Sequence, residues 1–333
     1  MNLEKAMIML RERLGESAVI QDADMREYTS FRAGGRAAHL VLVSGSEELK
    51  YTLYVLGRVG VGAKAGCCGD AGSCALGSMG CNGCGKADGP AEYMVLGNGS
   101  NVLVRDSGYP GVIVKLKDES DDIEFDGLQV TAGAGVLLSS LAKAAAAREL
   151  TGLEFAAGIP GSVGGACFMN AGAYGGEIKD VLKAVHVISK DGVRERILSP
   201  AEMKLSYRHS ALMDSGDVVM KATFSLEHGD PGKIRETMQD FARRRSEKQP
   251  LAQPSAGSFF KRPEGHFAGA LIEKAGLKGL SVGGAQVSPK HAGFIVNTGG
   301  ATASDIEALM HLVQSTVYDE SGVRLEPEVR IIG

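Results

Sequence analysis

No stretch of this sequence is long and apolar enough to cross a bilayer. The N-terminal run MNLEKAMIMLRERLGE carries charge throughout, which excludes a secretory signal peptide and leads us to expect a cytoplasmic protein. Positive charge is not in excess. With 36 Lys and Arg against 40 Asp and Glu the net charge is -4, so neither nucleic acid nor an anionic membrane is expected as partner. Two nucleotide-binding signatures are missing. No Gly-x-Gly-x-x-Gly opens a helix with an acidic residue about twenty positions on, and no Gly-x-x-x-x-Gly-Lys-Ser/Thr occurs. Gly133-Ala134-Gly135 precedes a helical stretch but lacks the third glycine. A Rossmann dehydrogenase and a P-loop kinase are therefore disfavoured. Internal repeats are absent as well.

What is present describes a soluble globular chain of 333 residues, 44% hydrophobic and 23% charged, long enough for two or three packed domains. Leu3, Met7, Leu10 and Leu14 recur at helical spacing and predict a first helix ending near Gly15. Strands are predicted at residues 39–43, 93–96, 102–104, 112–115, 128–131, 184–189, 218–226, 293–297 and 327–332. Helices are predicted at residues 47–57, 137–150, 233–248, 268–275 and 304–318, the last with a capping box from Ser304 to Glu307. Residues 59–90 break the pattern with Gly, Ala, Ser and Cys and read as an inserted loop. Five cysteines crowd there: Cys67, Cys68, Cys74, Cys81 and Cys84. The Cys81-x-x-Cys84 spacing admits zinc or an iron–sulfur cluster, but the insert holds no histidine and few apolar residues, so the expectation is no metal. The texture changes after Gly229, and a domain boundary is expected near residue 228.

The 46 glycines matter where they cluster. Gly97-Asn98-Gly99-Ser100-Asn101 lies between two strands, and its backbone N–H groups can form a concavity for a pyrophosphate. The run from Gly158 to Ala166 has the same character, and Asn170 to Gly176 follows it. A single such loop is equally a tight turn; the succession is harder to explain as turns alone. Arg208, in Ser206-Tyr207-Arg208-His209-Ser210, suits a carboxylate or phosphate but is equally a surface arginine. Ser258 in Gly257-Ser258-Phe259-Phe260 is not the nucleophile of a Gly-x-Ser-x-Gly elbow, and a proton-relay role stands beside that of a turn former. Near the C-terminus, strand alternation puts Glu326, Glu328 and Arg330 on one face, which alone reads as a solvated edge.

Together, YTSFRAGGRA, LGNGSNVLVRDSGYPGVIV, GLEFAAGIPGSVGGACFMNAGAYGGEIKDVL, LSYRHSAL, PSAGSFFKRPEGHFAGALIEKAGLKG, VSPKHAGFIVN and LEPEVRIIG resemble the UDP-N-acetylenolpyruvoylglucosamine reductase family, in its shorter type II form. They cover most of the chain outside residues 59–90, in the family's order. The resemblance implies an α+β fold, with a two-subdomain FAD-binding module of the vanillyl-alcohol-oxidase type and a C-terminal α+β substrate-binding domain. The expected partition is a helical segment at 1–29, the FAD module at 30–228 and the substrate domain at 229–333. It further implies FAD and NADPH as cofactors, UDP-N-acetylglucosamine enolpyruvate as small-molecule substrate and a role in peptidoglycan synthesis; apart from the resemblance, a monomer is expected.

By the same resemblance FAD is held by Gly97, Asn98, Gly99, Ser100, Asn101, Ile159, Pro160, Gly161, Ser162, Gly164, Gly165, Ala166, Asn170 and Gly172. Ser258 matches the proton donor, Arg208 the group that stabilises the enolate, and Glu328 the catalytic glutamate. Glu328 is expected to be partly protonated beside the substrate carboxylate. Lys261, Arg262, Gln286 and His291 fall in matching substrate-domain segments as contacts to the UDP or sugar. A flavin oxidase would lack the GSFF and LEPEV segments, and a redox sensor on a dead scaffold would have lost Arg208, Ser258 or Glu328.

Overall fold

The structure, a computed structural model, describes residues 1–59, 91–119 and 121–333. The five clustered cysteines, and with them the question of a metal in the insert, lie outside the described residues.

The chain opens with helix α1 (Leu3–Leu14), capped by the Asn2 side chain, which accepts from Lys5 N at 3.0 Å. Its Ala6, Met7 and Leu10 are buried at helical spacing. A first sheet joins β1 (Val19–Asp24), β2 (Arg36–Val43), β3 (Tyr93–Leu96) and, between β2 and β3, β5 (Tyr109–Leu116); β1–β2 is antiparallel and the other pairings are parallel. Helix α2 (Gly45–Leu56) packs Leu49, Leu53 and Leu56 into the same core as α1. A second, antiparallel sheet runs Glu195–Leu198, Leu182–Ile188, Val218–Ser225, β7 (Gln129–Gly133), β6 (Ile123–Asp126).

Helix α3 (Leu138–Ala146) stops short of the expected Leu150 because Glu149 turns left-handed at φ 59° and Leu150–Thr151 pairs with Glu227–His228. The run Val163–Met169 forms a helix, α4, where the glycines had suggested only a loop. Ser162 accepts from Gly165 N at its start, and Asn170 ends it with φ 45°. Gly164 is required there: a Cβ would stand 2.9 Å from that of Ala134.

The C-terminal core gathers Phe259, Phe260, Ile272, Val287 and Ile295 around the helix Ala303–Ser321, which buries Ile306, Leu309, Met310, Val313 and Val317. Phe31, Ala33 and Leu103 enter this core from the first part of the chain. The long helix Pro231–Lys248 instead packs Met238 and Phe241 on the N-terminal core, so the change of core falls after this helix rather than near residue 228. The last strand, Arg330–Ile332, returns to pair in parallel with β4 (Val102–Val104), the strand that follows the first glycine loop. The capping box of helix Ala303–Ser321 is Thr302 with Asp305, not Ser304 with Glu307. Ser304 donates its hydroxyl to Asp106 at 2.6 Å, and Glu307 pairs with Arg105 at 3.0 Å.

Candidate active site

A cleft of about 580 Å³ runs between the two glycine loops and the C-terminal core. That volume suits a cofactor-sized ligand. One wall is Gly97–Asn101, between β3 and β4. The opposite wall is Ile159–Ser162 with the start of α4. The two are tied together where Asn98 Nδ2 donates to Pro160 O at 2.7 Å. The backbone N–H groups of Asn98, Gly99 and Ser100 find no acceptor among the described residues, leaving a row of donors of the kind that suits a pyrophosphate. Lys115, largely buried, reaches the same loop and donates to Gly97 O at 2.8 Å; burial pushes its ammonium below the usual lysine range.

Thirteen of the expected cofactor residues line this cleft: Gly97 to Asn101, Ile159 to Ser162, Gly164 to Ala166, and Gly172. Asn170 does not. It is fully buried behind the wall, donating to Ser206 O and Glu177 and accepting from Lys179 N.

Ser258, Arg208 and Glu328 line the same cleft. Arg208 sits at the tip of a two-residue turn closed by Ser206 and His209, with φ 53°. Its Nε donates to Glu328 Oε1 at 2.7 Å. Glu328 is set by its backbone: its N donates to Phe259 O at 2.8 Å, and its carbonyl accepts from Asn101 Nδ2 at 3.1 Å. Hence the residue after Ser258 and the last residue of the first glycine loop both fix Glu328. The Glu328 carboxyl is held above the usual glutamate range by burial, against the opposing pull of Arg208 and, more weakly, Lys261. The expected direction is therefore already present in the free protein, but from burial rather than from an anionic neighbour. Glu326 does not share that face: it is 73% exposed and pairs outward with Lys261 at 3.3 Å.

None of Lys261, Arg262, Gln286 and His291 lines the cleft. Arg262 stacks over Phe267 at 4.4 Å, and Gln286 donates to Gly279 O and Ser281. His291 accepts from Gly293 N at 3.0 Å, and burial pushes its imidazole below the usual range.

Sequence reasoning missed other cleft residues. Tyr174 stacks on Phe241 with centroids 4.6 Å apart, and Arg245 and Gln249 follow Phe241 along one line of the long helix. Buried polar atoms of both, Arg245 Nη1 and Gln249 Oε1, lack a hydrogen-bond partner among the described residues. The four-residue spacing from Phe241 is a signal that marks them out from the neighbouring Arg243 and Arg244. Arg330, read as part of a solvated edge, also lines the cleft, with its guanidinium 4.9 Å from the Phe168 ring centroid. Among the described residues, no group of three His, Cys, Asp or Glu is placed to hold a metal ion, and no helix is long and apolar enough to cross a membrane.

Residues 249–332 match the family described as UDP-N-acetylenolpyruvoylglucosamine reductase, C-terminal domain, and residues 87–197 match the FAD binding domain. The chain is 41% identical to the UDP-N-acetylenolpyruvoylglucosamine reductase of Alkaliphilus oremlandii, over 99% of this chain and 98% of that one. It is 44% identical to the protein of that name from Clostridium botulinum, over 100% of this chain and 99% of that one. The crystal structure of UDP-N-acetylenolpyruvylglucosamine reductase from Thermus caldophilus superposes with a TM-score of 0.72 at 35% identity, covering 95% of this chain and 98% of that one.

Proposed function

The chain belongs to the UDP-N-acetylenolpyruvoylglucosamine reductase family, and we propose that it reduces UDP-N-acetylglucosamine enolpyruvate to UDP-N-acetylmuramate with NADPH, in the cytoplasm and as a monomer. It is an FAD-binding oxidoreductase of peptidoglycan synthesis, built from a flavin module of the vanillyl-alcohol-oxidase type and a C-terminal domain. The observation that carries the reading is the convergence of Ser258, Arg208 and Glu328 on the cleft bounded by both glycine loops.

The residues present fit FAD. The unpaired N–H groups of Asn98, Gly99 and Ser100 suit its pyrophosphate, and Gly161 and Gly165 keep side chains out of the opposite wall. When bound, FAD supplies the hydride that it has taken from NADPH. The chain supplies the rest. Hydride addition to the terminal carbon of the enol ether drives negative charge onto the neighbouring carbon and into the carboxylate. Arg208 binds that carboxylate and stabilises the enolate, a term worth about 10²- to 10³-fold in comparable sites. Ser258 then gives its hydroxyl proton to the carbon. Glu328, held towards its neutral form by burial, sits beside the substrate carboxylate with less repulsion than an exposed glutamate would cause, and its bond to Nε orients the guanidinium. Lys261, Arg262, Gln286 and His291 lie outside the cleft wall, and this reading gives them no chemical step.

The test is an anaerobic half-reaction on flavin-loaded protein. NADPH should bleach the flavin, and UDP-N-acetylglucosamine enolpyruvate should restore its colour. Ser258→Ala should slow the second step and spare the first. Wild-type flavin that stays reduced in the presence of the enolpyruvyl sugar nucleotide would sink the assignment.

A further inference from the structure

Arg208 occupies a backbone conformation that L side chains rarely adopt, so its surroundings must hold it. The turn that carries it is closed by Ser206 N to His209 O at 3.1 Å and His209 N to Ser206 O at 3.2 Å. Both flanks of this turn are tied to the end of α4. On one side Asn170 Nδ2 donates to Ser206 O at 3.0 Å. On the other, Ser210 Oγ donates to Phe168 O at 2.6 Å. Asn170 and Ser210 are both fully buried.

We infer that Asn170 and Ser210 are positioning residues for Arg208, locking the arginine turn to the helix that forms one wall of the cleft. The inference rests on the reading of Arg208 as the cation that binds the substrate carboxylate. The chemistry of Asn170 is specific. Its amide donates to Ser206 O and to the Glu177 carboxylate while its oxygen accepts from Lys179 N at 3.0 Å. An aspartate would lose both donors and set a second carboxylate against Glu177. The left-handed backbone of Asn170 is a separate requirement, and glycine meets it without the amide. Asn170→Gly therefore isolates the side chain's contribution from the helix ending.

The experiment compares flavin-loaded wild type with Asn170→Gly, Asn170→Asp and Ser210→Ala. Reduction by NADPH, FAD affinity and the visible flavin spectrum should hold in Asn170→Gly. Reoxidation by UDP-N-acetylglucosamine enolpyruvate should slow about 10- to 100-fold, the scale of a small misplacement of a catalytic group. Asn170→Asp should do no better than Asn170→Gly. A second readout needs no turnover: the ¹⁵N–¹H signal of Arg208 Nε, assigned by its disappearance in Arg208→Lys, should broaden or exchange faster in Asn170→Gly. Unchanged reoxidation with an unchanged Nε signal would overturn the inference, as would loss of FAD with equal slowing of both half-reactions, which would return Asn170 to the cofactor. If Asn170→Gly fails to fold, Ser210→Ala, acting from the other flank, must show the same split between half-reactions. Should wild-type flavin not be reoxidised by the sugar nucleotide, the reaction assignment falls, and the Nε signal alone decides whether Asn170 positions Arg208.

Discussion

Arg208 donates from Nε to Oε1 of Glu328 across 2.7 Å, although the two residues stand 120 positions apart in the chain. The pair joins a turn of the N-terminal part to the segment that enters the last strand, so the site exists only when both parts are folded. Most of both side chains is withdrawn from water, at 21% and 14% exposure, so the contact is not an ordinary surface ion pair.

Burial holds the Glu328 carboxyl above the usual glutamate range, and Arg208 works against that. The folded state therefore favours the protonated form. Its contribution to stability is complete below the unfolded value of about 4.3 and is lost as pH rises through the higher folded value. Relative to Glu328→Gln, wild type should lose stability as pH climbs from acid towards neutral. Arg208→Met, which removes the opposing charge, should move that loss to higher pH. Denaturant unfolding of the three proteins across this range checks both points, and a difference that stays flat with pH would refute them.

Cys167 lies fully buried on α4, and burial pushes its thiol up to about 12. Alkylation requires the thiolate and access to it. The peptide containing Cys167 should stay unmodified by iodoacetamide in native protein and react after unfolding. Mass spectrometry of the digested protein decides this, with labelling of that peptide in the native state as the contrary result.

Asp106 binds the start of the helix Ala303–Ser321, accepting from Ala303 N and Ser304 N at 2.8 Å each and from Ser304 Oγ at 2.6 Å. Burial alone would raise its carboxyl, but these bonds hold it below the usual aspartate range. Its contribution is therefore present above the unfolded value of about 3.9 and lost as pH falls through the lower folded value. Asp106→Ala should cost about 1–2 kcal/mol at neutral pH, in the manner of a lost helix cap, and progressively less in acid. Flavin content should be unaffected, since Asp106 does not line the cleft. An unchanged unfolding midpoint at neutral pH would contradict the assignment.

The same residue explains a limit of sequence reading. Thr302-x-x-Asp305 and Ser304-x-x-Glu307 both carry capping-box chemistry, and only the approach of Asp106 from nearly 200 positions away recruits Ser304 elsewhere. Ser258, Arg208 and Glu328 were legible because each sits in a long, ordered motif, although no motif says that they meet. The resemblance places Asn170 among the cofactor residues, whereas in the fold it is the left-handed end of α4 and stands behind the cleft wall, a position that one dimension does not reveal. Helix α4 was hidden by Gly164 and Gly165, whose low helix propensity is outweighed by packing against Ala134. Lys261 and Arg262 read as ligands because they fall in a segment that matches the family's substrate domain. Yet one turns to Glu326 and the other to Phe267, contacts that depend on tertiary direction rather than on spacing.

Two glycines separate the demands of the fold from those of the cofactor. Gly99 has φ +68°, and a Cβ there would stand 2.2 Å from Tyr28 O. Its carbonyl also accepts from Ser30 N at 3.1 Å, and Ser30 in turn donates to Ser255 O at 2.7 Å, next to the Ser258 segment. Gly99→Ala should therefore cost about 1–3 kcal/mol of stability, with or without flavin, by backbone strain and collision. Gly161 differs. It lines the cleft with no positive φ, and a Cβ would meet nothing nearer than 3.8 Å, so Gly161→Ala should fold as well as wild type without flavin. If FAD lies against this wall, the added methyl occupies cofactor space, and FAD should dissociate more readily from Gly161→Ala during dialysis. Thermal melts of FAD-free protein, together with the ratio of flavin to protein absorbance after dialysis, separate the two effects. Undiminished FAD retention in Gly161→Ala would mean that the cofactor does not use this wall, and the cradle would then rest on the Gly97–Asn101 loop alone.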